Sequence, residues 1–360
     1  MRTTSGWMSA DGTTALRCVQ VERRDLRDDD LAVRIDYCGV CHSDLHRIGG
    51  LLGEGALVPG HEFTGTVTAV GAAVTAFSVG DRVAVGTIVD SCGVCEMCRI
   101  GQENFCYEGP VSTYGGTDRV EGTRTQGGYS REYVLRDRFA YHLPDGLDQA
   151  AAAPLMCAGI TVWEPLRAAG IGSGSRVAVA GLGGLGHLAV KLAAALGAEV
   201  TVLSRTPDKA DDARKAGAAD TLITGDDQQV QRARGRFDLI LDTIPVAHDL
   251  SPLLHMAALD GTLALLGYPL EQPVRILDLV RGRKKLTSSG TGGRRHTAEL
   301  LDFCAGHGIT ADVEVLPSAR VREALDRLGR GDVRYRFVLD LSDLDSSDPH
   351  PSDLDRPAHE

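Results

Sequence analysis

The chain has 360 residues, of which 43% are hydrophobic and 24% charged, with a formal net charge of −11 at pH 7. This length exceeds the roughly 250–300 residues that a single core usually holds, and it predicts about two domains. The negative charge argues against nonspecific nucleic-acid binding. The absence of a secretory h-region and of an apolar run long enough to cross a bilayer argues against export and membrane insertion.

The first segments with chemically active side chains are residues 37–44 and 60–62. They read Tyr-Cys-Gly-Val-Cys-His-Ser-Asp and Gly-His-Glu, and so offer two thiols, imidazoles and carboxylates. Cys38 and Cys41 have the spacing of a CxxC redox pair, and a lone histidine such as His61 is more often a plain polar residue than a metal ligand. The spacing alone therefore leaves the roles of these residues open.

Two runs of alternating apolar and polar residues follow, at residues 63–70 and 81–85. A period of two predicts antiparallel strands with one face in water. The first part of the chain is therefore expected to contain antiparallel sheet.

Four cysteines stand close together in the pattern C-x2-C-x2-C-x7-C: Cys92, Cys95, Cys98 and Cys106. Four thiolates complete the tetrahedral coordination of Zn²⁺ and leave no position for a substrate, which predicts a structural zinc site. A disulfide pair and ordinary buried cysteines are the alternatives. The absence of an export signal disfavours the disulfides, because intracellular thiols stay reduced.

A further cysteine, Cys157, lies in the segment Met-Cys-Ala-Gly-Ile-Thr of residues 156–161. With Cys41 and His61 it offers two thiolates and one imidazole, a ligand set for a catalytic zinc whose fourth position takes water or a substrate oxygen. Such a metal centre is formally neutral yet polarises a carbonyl. The three residues are candidates only, because their spacing does not single them out.

A glycine-rich turn at residues 181–186 follows a short apolar run, residues 175–180, and precedes an alanine- and leucine-rich stretch, residues 187–196. Strand, glycine turn and helix in this order predict a dinucleotide site, whereas a GxGxxG motif alone is a weak signal. The glycines let the backbone approach the pyrophosphate, and the helix N-terminus stabilises its charge. A merely flexible loop is the alternative. The residues expected at the cofactor are Gly181, Gly183, Gly184, Leu185 and Gly186.

The residues that follow the next strand, residues 199–203, indicate whether the site prefers NAD or NADP. An NAD site usually places Asp or Glu here to accept hydrogen bonds from the ribose hydroxyls. This chain has Ser204 instead, followed by Arg205 and Lys209, with Asp208 as the contrary charge. A hydroxyl and two cations attract a 2′-phosphate that a carboxylate would repel, so the sequence predicts NADP(H).

The remaining strands are expected at residues 237–242, 261–267 and 286–290. Short strands that alternate with helical stretches predict an α/β fold with a doubly wound parallel sheet and helices on both faces. The last segment, residues 342–360, is rich in Asp, Ser and Pro and has almost no apolar content. This composition predicts a disordered acidic tail.

One known family has these motifs in the same order. The chain resembles the zinc-dependent medium-chain dehydrogenase/reductase superfamily, and most closely its cinnamyl-alcohol-dehydrogenase-like, NADP(H)-dependent branch, over about residues 10–341. The resemblance implies a discontinuous catalytic domain, mainly antiparallel and β-barrel-like (GroES-like), and a Rossmann domain. The expected bounds are residues 1–155 and 295–341 for the catalytic domain, 90–108 for its structural zinc lobe, and 156–294 for the Rossmann domain.

The resemblance also implies a role for each candidate residue. Cys41, His61 and Cys157 bind the catalytic zinc, and Glu62 approaches the metal when water exchanges. Asp44 hydrogen-bonds the zinc-binding histidine and thereby fixes its tautomer and orientation.

The implied reaction is reversible hydride transfer between NADPH and a carbonyl, in which zinc stabilises the developing alkoxide charge. Ser43 would hydrogen-bond the reacting oxygen, and His46 would pass the proton to solvent. An exposed surface histidine is the alternative for His46. Thr161 is expected to pack on the nicotinamide ring, and Cys38 to be structural.

The stretch between His46 and His61 departs from the family pattern. It is shorter than its usual counterpart, lacks the tryptophan commonly found there, and has Leu51 where plant members place an acidic relay residue. The loss of a large ring should enlarge the pocket entrance, which favours a bulky substrate. Two alternatives remain open. One is conjugate reduction of a C=C or C=N bond, or reductive cyclisation, in specialised metabolism; the other is a nonenzymatic zinc- or NADPH-binding protein on a borrowed fold.

The resemblance completes the list of expected partners. Members of the family are generally homodimers or homotetramers, so we expect a homodimer that takes a small-molecule substrate, two zinc ions per subunit and NADP(H). No nucleic-acid or membrane partner is expected. The nine cysteines of the chain suit a reducing cytoplasm.

Overall fold

The computed structural model describes residues 1–10, 13–50, 55–269 and 271–345. The chain divides into two compact units. The first consists of Met1–Cys157 and the chain from Gly293 onward, and the second of Ala158–Gly292. Among the described residues, no helix has both the length and the apolar character needed to span a bilayer.

The described residues form the following strands and helices. The strands are β1 (Arg2–Ser9), β2 (Leu16–Arg23), β3 (Asp30–Val40), β4 (Phe63–Val70), β5 (Arg82–Val85), β6 (Ile88–Asp90), β7 (Val111–Ser112), β8 (Glu132–Arg136), β9 (Ala140–His142), β10 (Arg176–Ala180), β11 (Glu199–Ser204), β12 (Asp220–Ile223), β13 (Phe237–Asp242), β14 (Ala257–Leu265), β15 (Lys285–Ser288), β16 (Val313–Pro317) and β17 (Arg336–Asp340). The α-helices are α1 (His42–Ile48), α2 (Glu96–Arg99), α3 (Gln149–Ala152), α4 (Ala158–Ala168), α5 (Gly186–Ala195), α6 (Ala210–Lys215), α7 (Asp227–Arg232), α8 (Ser251–Met256), α9 (Ile276–Val280), α10 (Arg294–His307) and α11 (Val321–Gly329).

The first unit is built on a seven-stranded, mainly antiparallel sheet in the order β16-β17-β3-β4-β5-β9, with β8 also paired to β3. The long strand β3 pairs with β4 along one edge, and with β8 and β17 in succession along the other. Its Leu31, Val33 and Ile35 are completely buried. This arrangement matters for function because β3 ends next to Cys41 and β4 begins just after Glu62.

The second unit contains a six-stranded parallel sheet in the order β12-β11-β10-β13-β14-β15. The central strands β10 and β13 read as continuous apolar runs, because a parallel sheet covered by helices is buried on both faces. Val177, Val179, Leu239 and Leu241 are accordingly inaccessible to solvent. The doubly wound sheet predicted from the sequence is confirmed, although β14 begins earlier than the prediction, at Ala257.

The start of the predicted tail differs from expectation. Ser342–Asp345 form a short 3-10 helix with a buried Leu344. Asp345 pairs with Arg131 at 2.5 Å, and Asp343 accepts a hydrogen bond from Ser318 at 2.6 Å. Composition underestimated the order of these four residues because one buried side chain and two polar partners attach them to the unit. The rest of the predicted tail, residues 346–360, lies outside the described residues.

Candidate metal and dinucleotide sites

The structure brings together three ligand-type side chains from distant parts of the first unit. Cys41 lies at the N-terminus of α1, His61 lies just before β4, and Cys157 follows the 3-10 helix Ala153–Met156. The Sγ atoms of Cys41 and Cys157 are 3.8 Å apart, and His61 Nε2 is 3.2 Å from Cys157 Sγ. Ligand atoms of these three residues and of Glu62 all lie within 4.8 Å of one another.

The sulfur separations test whether zinc fits. Tetrahedral Zn–S bonds of about 2.3 Å place two sulfurs about 3.8 Å apart, whereas a disulfide bond is about 2.05 Å long. The Cys41–Cys157 distance of 3.8 Å and the Cys92–Cys98 distance of 3.9 Å match the tetrahedral value. Both clusters therefore have the geometry of zinc sites rather than of disulfides.

The four predicted lobe cysteines also form a compact cluster, with their sulfurs within 4.8 Å of one another. Backbone amides point at the sulfurs: Cys92 N donates to Cys106 Sγ and Cys95 N to Cys92 Sγ, both at 3.4 Å. Backbone hydrogen bonds lower the pKa of Cys95 to about 6. The lobe thus presents four sulfurs, at least one of them readily ionised, which suits a closed zinc site.

A buried carboxylate, Asp44, ties the two ligand-bearing loops of the other cluster together. Its Oδ1 accepts from Gly60 N and from His61 Nδ1, both at 3.1 Å. Its Oδ2 accepts from Cys41 N at 2.9 Å and from the hydroxyl of Tyr129 at 3.0 Å. This bond to Nδ1 leaves Nε2 of His61 for a metal, which is the carboxylate–histidine–metal arrangement.

Tyrosines complete the surroundings of this histidine. The Tyr114 ring meets the His61 ring edge-on, with centroids 5.5 Å apart. Burial, reinforced by the charge of Asp44, raises the pKa of both Tyr114 and Tyr129 well above its usual value. Both hydroxyls therefore keep their protons at neutral pH.

The pKa values of Cys41 and Cys157 shift in opposite directions, and the reason favours a cation between the two sulfurs. The hydrogen bond that they share lowers the pKa of Cys41 well below its usual value and raises that of Cys157 well above it. Two adjacent buried thiolates repel each other, so without a cation only one of them is readily charged. A divalent metal removes this conflict because it binds thiolates and excludes the proton.

The neighbouring carboxylate of Glu62 is completely buried and pairs with Arg336, which is 5% exposed. Burial raises the pKa of Glu62 to about 7, although the guanidinium of Arg336 opposes the shift. The second carboxylate oxygen, Oε2, has no hydrogen-bond partner among the described residues. An unpartnered buried oxygen beside the ligand cluster fits a group that reaches a metal intermittently.

Cys38 lies outside this cluster. Its side chain is completely buried, and burial raises the pKa of its thiol well above the usual value. Neither Cys38 nor Cys41 forms a disulfide. Cys41 therefore belongs to the ligand cluster and Cys38 does not, which distinguishes the two roles that the CxxC spacing left open.

The two predicted relay residues lie along α1. Ser43 Oγ is 3.6 Å from Cys41 Sγ, so the hydroxyl stands at the edge of the ligand cluster. His46 is half-buried and lies almost one turn further along the helix. Leu51, where the sequence departs from the family, lies outside the described residues.

The glycine loop connects β10 to α5 as predicted. Gly181 has a φ of +89°, which glycine adopts without strain. A Cβ on Gly186 would lie 2.1 Å from the carbonyl oxygen of Gly181, so the turn closes only with glycine there. A Cβ on Gly183 would meet nothing within 4 Å, which leaves open space for a phosphate to approach the backbone.

The predicted selectivity residues lie at the end of β11. Ser204 is half-buried and donates to Thr206 O, while Arg205 is exposed. Lys209 Nζ donates to Leu182 O at 2.9 Å, so this amine lies against the glycine loop. Thr161, the residue expected at the nicotinamide ring, lies inside α4, and its hydroxyl donates to Gly290 O at 3.1 Å.

Sequence reasoning missed Tyr114, Tyr129 and Arg336. Each comes from a segment far along the chain from the ligand that it supports, and none stands in a recognisable motif. Arg336 offered a weak signal, because an arginine at the start of an apolar strand needs a buried counter-charge. The tyrosines offered no signal in the sequence alone.

Comparisons with known proteins agree with this geometry. Residues 27–145 match the model of the alcohol dehydrogenase GroES-like domain, and residues 184–306 match that of the zinc-binding dehydrogenases. A probable formaldehyde dehydrogenase, AdhA, of Bacillus subtilis strain 168 is 46% identical over 90% of this chain and 93% of its own length.

Two solved structures have a similar fold. A cinnamyl alcohol dehydrogenase from Sorghum bicolor superposes with a TM-score of 0.92 and 38% identity, over 97% of this chain and 99% of its own. A CAD from Helicobacter pylori, solved as a complex with NADP(H), gives a TM-score of 0.88 and 32% identity, over 94% and 98% of the two chains.

Proposed function

This chain belongs to the zinc-binding alcohol dehydrogenases with a GroES-like domain, in their cinnamyl-alcohol-dehydrogenase-like branch, and from that membership we propose that it interconverts alcohols with aldehydes or ketones, using zinc and NADP(H). The observation that carries this proposal is the convergence of Cys41, His61 and Cys157 beside Glu62, within 4.8 Å. Three ligands with a fourth position left for a substrate oxygen are the requirement for a catalytic zinc.

The proposed ligands divide between two metal ions. Cys41, His61 and Cys157 would hold the catalytic zinc, and the buried carboxylate of Glu62 beside them would serve as an intermittent additional ligand. The structural zinc is bound by Cys92, Cys95, Cys98 and Cys106. When bound, the catalytic zinc polarises a carbonyl and NADPH provides the hydride.

The side chains of this protein bind, orient and move protons around that chemistry. Asp44 holds the His61 ring in the tautomer whose Nε2 is free. Ser43 lies at the edge of the cluster. When an alcohol is oxidised, its oxygen accepts the proton of the substrate hydroxyl as it releases its own proton to the relay, and in carbonyl reduction it donates a proton to the substrate oxygen. His46 carries that proton towards solvent along α1.

The proposed cofactor residues surround the glycine loop. Gly181, Gly183, Gly184, Leu185 and Gly186 bind the pyrophosphate, and Thr161 contacts the nicotinamide. Ser204, Arg205 and Lys209 select the 2′-phosphate, supported by their two positive charges and the position of Lys209 against the loop. A KM for NADH as low as that for NADPH would contradict this selectivity.

We also propose that two copies associate through the second unit. Its edge strand β15 has four exposed residues, and exposed Leu259, Ile276, Leu277 and Val280 lie in the same unit. An open strand edge with apolar neighbours favours pairing with an identical edge. Light scattering that gives only the 38.2 kDa monomer would contradict the dimer. We further propose a cytoplasmic location, because thiols that serve as metal ligands persist in a reducing compartment.

One experiment tests the main proposal. Purified protein is analysed for zinc and then assayed for NADPH oxidation against aromatic and aliphatic aldehydes, ketones and enals, with identification of the products. We expect two zinc equivalents per chain and reduction of the carbonyl. A saturated carbonyl as product from an enal would show conjugate reduction, and no turnover by fully loaded protein would refute the proposal.

A further inference from the structure

We propose that Tyr129 is a positioning residue of the metal centre: its hydroxyl holds Asp44, and through Asp44 it keeps Cys41 and His61 oriented for the metal. The inference rests on the proposed function, since it assumes that these two residues bind zinc. Tyr129 is completely buried, and we assign it no contact with substrate.

The hydrogen bonds of Asp44 give the first argument. A carboxylate has about four acceptor sites, and all four here are used, two on each oxygen. Three of the donors belong to the ligand-bearing loops themselves, namely Cys41 N, Gly60 N and His61 Nδ1. The hydroxyl of Tyr129 is the fourth donor, and it comes from outside those loops.

The backbone around Tyr129 gives the second argument, because it fixes the hydroxyl without help from a metal. Tyr129 N donates to Pro59 O at 2.9 Å, and Tyr129 O accepts from Trp7 N at 2.7 Å. Gly128 N donates to Gly60 O at 2.8 Å. The tyrosine is therefore joined to the backbone immediately before His61 as well as to Asp44.

A buried cation secures the same segment from the other side. Arg23 is 7% exposed, and its guanidinium donates to Gly127 O at 2.8 Å and to Ser130 Oγ at 2.6 Å. The segment between these two acceptors contains Tyr129. Its hydroxyl is thus placed by contacts on both flanks, which is what a rigid support for a metal ligand requires.

The ring and the hydroxyl of Tyr129 contribute separately, and this makes the role testable. A Cβ on Gly60 would lie 2.6 Å from Tyr129 Cδ1, so the ring packs directly on the loop before His61. Phenylalanine keeps that packing and removes the donor alone. Asp44 would then lose the donor that Tyr129 supplies to Oδ2 and keep the hydrogen bond from Cys41 N, with the hydroxyl of Tyr114 as its remaining tyrosine partner.

The test is Tyr129→Phe in the full-length, zinc-loaded protein. We expect the affinity for the catalytic zinc, measured by competition with a chelator, to fall by about 10-fold. This is the lower end of the range for a direct partner of a ligand, because Tyr129 acts through Asp44. The lobe zinc of the same molecule should be retained as in the wild type. In cobalt-substituted protein, the d–d bands of the Cys41–His61–Cys157 site should shift.

The matched control is Tyr133→Phe. Tyr133 is another buried tyrosine of the first unit, and its hydroxyl donates to Thr113 O at 2.6 Å. We expect this variant to melt at a lower temperature and to keep wild-type zinc affinity and cobalt bands. If Tyr129→Phe and Tyr133→Phe lost the same zinc affinity, the loss would come from general destabilisation of the unit, and the proposal would be overturned.

A second comparison places the effect on Asp44. In an Asp44→Asn background, adding Tyr129→Phe should weaken zinc binding little further, because the hydroxyl acts through the carboxylate. Full additivity of the two changes, or wild-type affinity in Tyr129→Phe, would overturn the proposal. Zinc affinity is measured without turnover, so a failure of the proposed carbonyl chemistry would be seen separately.

Discussion

The two cysteine-containing clusters differ in how the chain assembles them. The lobe takes all its sulfurs from one segment, between Cys92 and Cys106, and orients them with backbone amides. The other cluster collects Cys41, His61 and Cys157 from three elements and orients them with buried side chains. The first depends on local structure, whereas the second exists only when the whole unit has folded.

The difference in support follows from the difference in chemistry. A closed site needs only four sulfurs at the right distances, and nearby amides are sufficient to hold them. An open site must keep its metal reactive, so the orientation and charge of its ligands have to be set by groups that do not bind the metal. Asp44 and Arg336 are such groups, both of them buried.

The largest expected effect comes from breaking the open cluster. Cys41→Ser should lower turnover by about 1,000-fold or more, because a Lewis acid contributes several kcal/mol to this chemistry. Metal analysis should find one zinc per chain, in the lobe. Cys18→Ser, at a half-buried cysteine outside both clusters, is the control. An active variant with two zinc ions would show that Cys41 is not a ligand.

Disrupting the lobe should remove its own zinc and lower stability, while the zinc of the open cluster stays bound. Cys106→Ser removes a sulfur from the lobe, and we expect loss of its zinc and a decrease of about 4 kcal/mol in the free energy of unfolding. The catalytic zinc should remain bound. Zinc analysis and thermal unfolding measure both effects, and a variant as stable as Cys18→Ser would refute a structural role for the lobe.

The third prediction concerns the buried ion pair of the open cluster. Arg336→Met leaves Glu62 without its cation, which should cost about 3 kcal/mol of stability at pH 8. The pKa of Glu62, about 7 with Arg336 present, should rise further because the arginine lowers it.

The direction of the pH dependence follows from that pKa. The folded pKa of Glu62 lies above its ordinary value of 4.5. The contribution of the Glu62 proton to the free energy of unfolding is therefore fully present below pH 4.5 and is lost as pH rises through about 7. Arg336→Met should therefore lose less stability at pH 6 than at pH 8 in denaturant titrations. Adding Glu62→Gln should abolish the difference. An equal loss at both pH values would mean that the charge of Glu62 is not its cause.

The smallest effect is expected from a side chain of the lobe. Ser91 is completely buried, lies 3.3 Å from Cys98 Sγ and accepts a hydrogen bond from Arg138 at 2.7 Å. Ser91→Ala should lower stability by about 1 kcal/mol and leave the zinc content unchanged, because backbone amides also support the sulfurs. Loss of the lobe zinc in this variant would show that the lobe, too, depends on side-chain support.

The features that could be predicted from the sequence are those whose residues lie close together along the chain. The glycine loop, the parallel strands and the cysteine lobe were predictable because each signal lies within one segment. His61 and Cys157 needed a family resemblance, because no periodicity links residues so far apart. The contacts of Asp44 with Tyr129 and of Glu62 with Arg336 were beyond the sequence, since only the tertiary fold brings these side chains together.

The order of strands in the first unit has a consequence for biosynthesis. β17, which pairs with β3 and contains Arg336, is the last strand along the part of the chain that the structure describes. Until β17 emerges, β8 can cover only the first part of that edge of β3, residues 37–40 stay unpaired, and Glu62 has no cation. Synthesis delivers N-terminal segments first, but Glu62 of this unit gains its buried counter-charge only after the chain has been made as far as Arg336, which follows it by 274 positions.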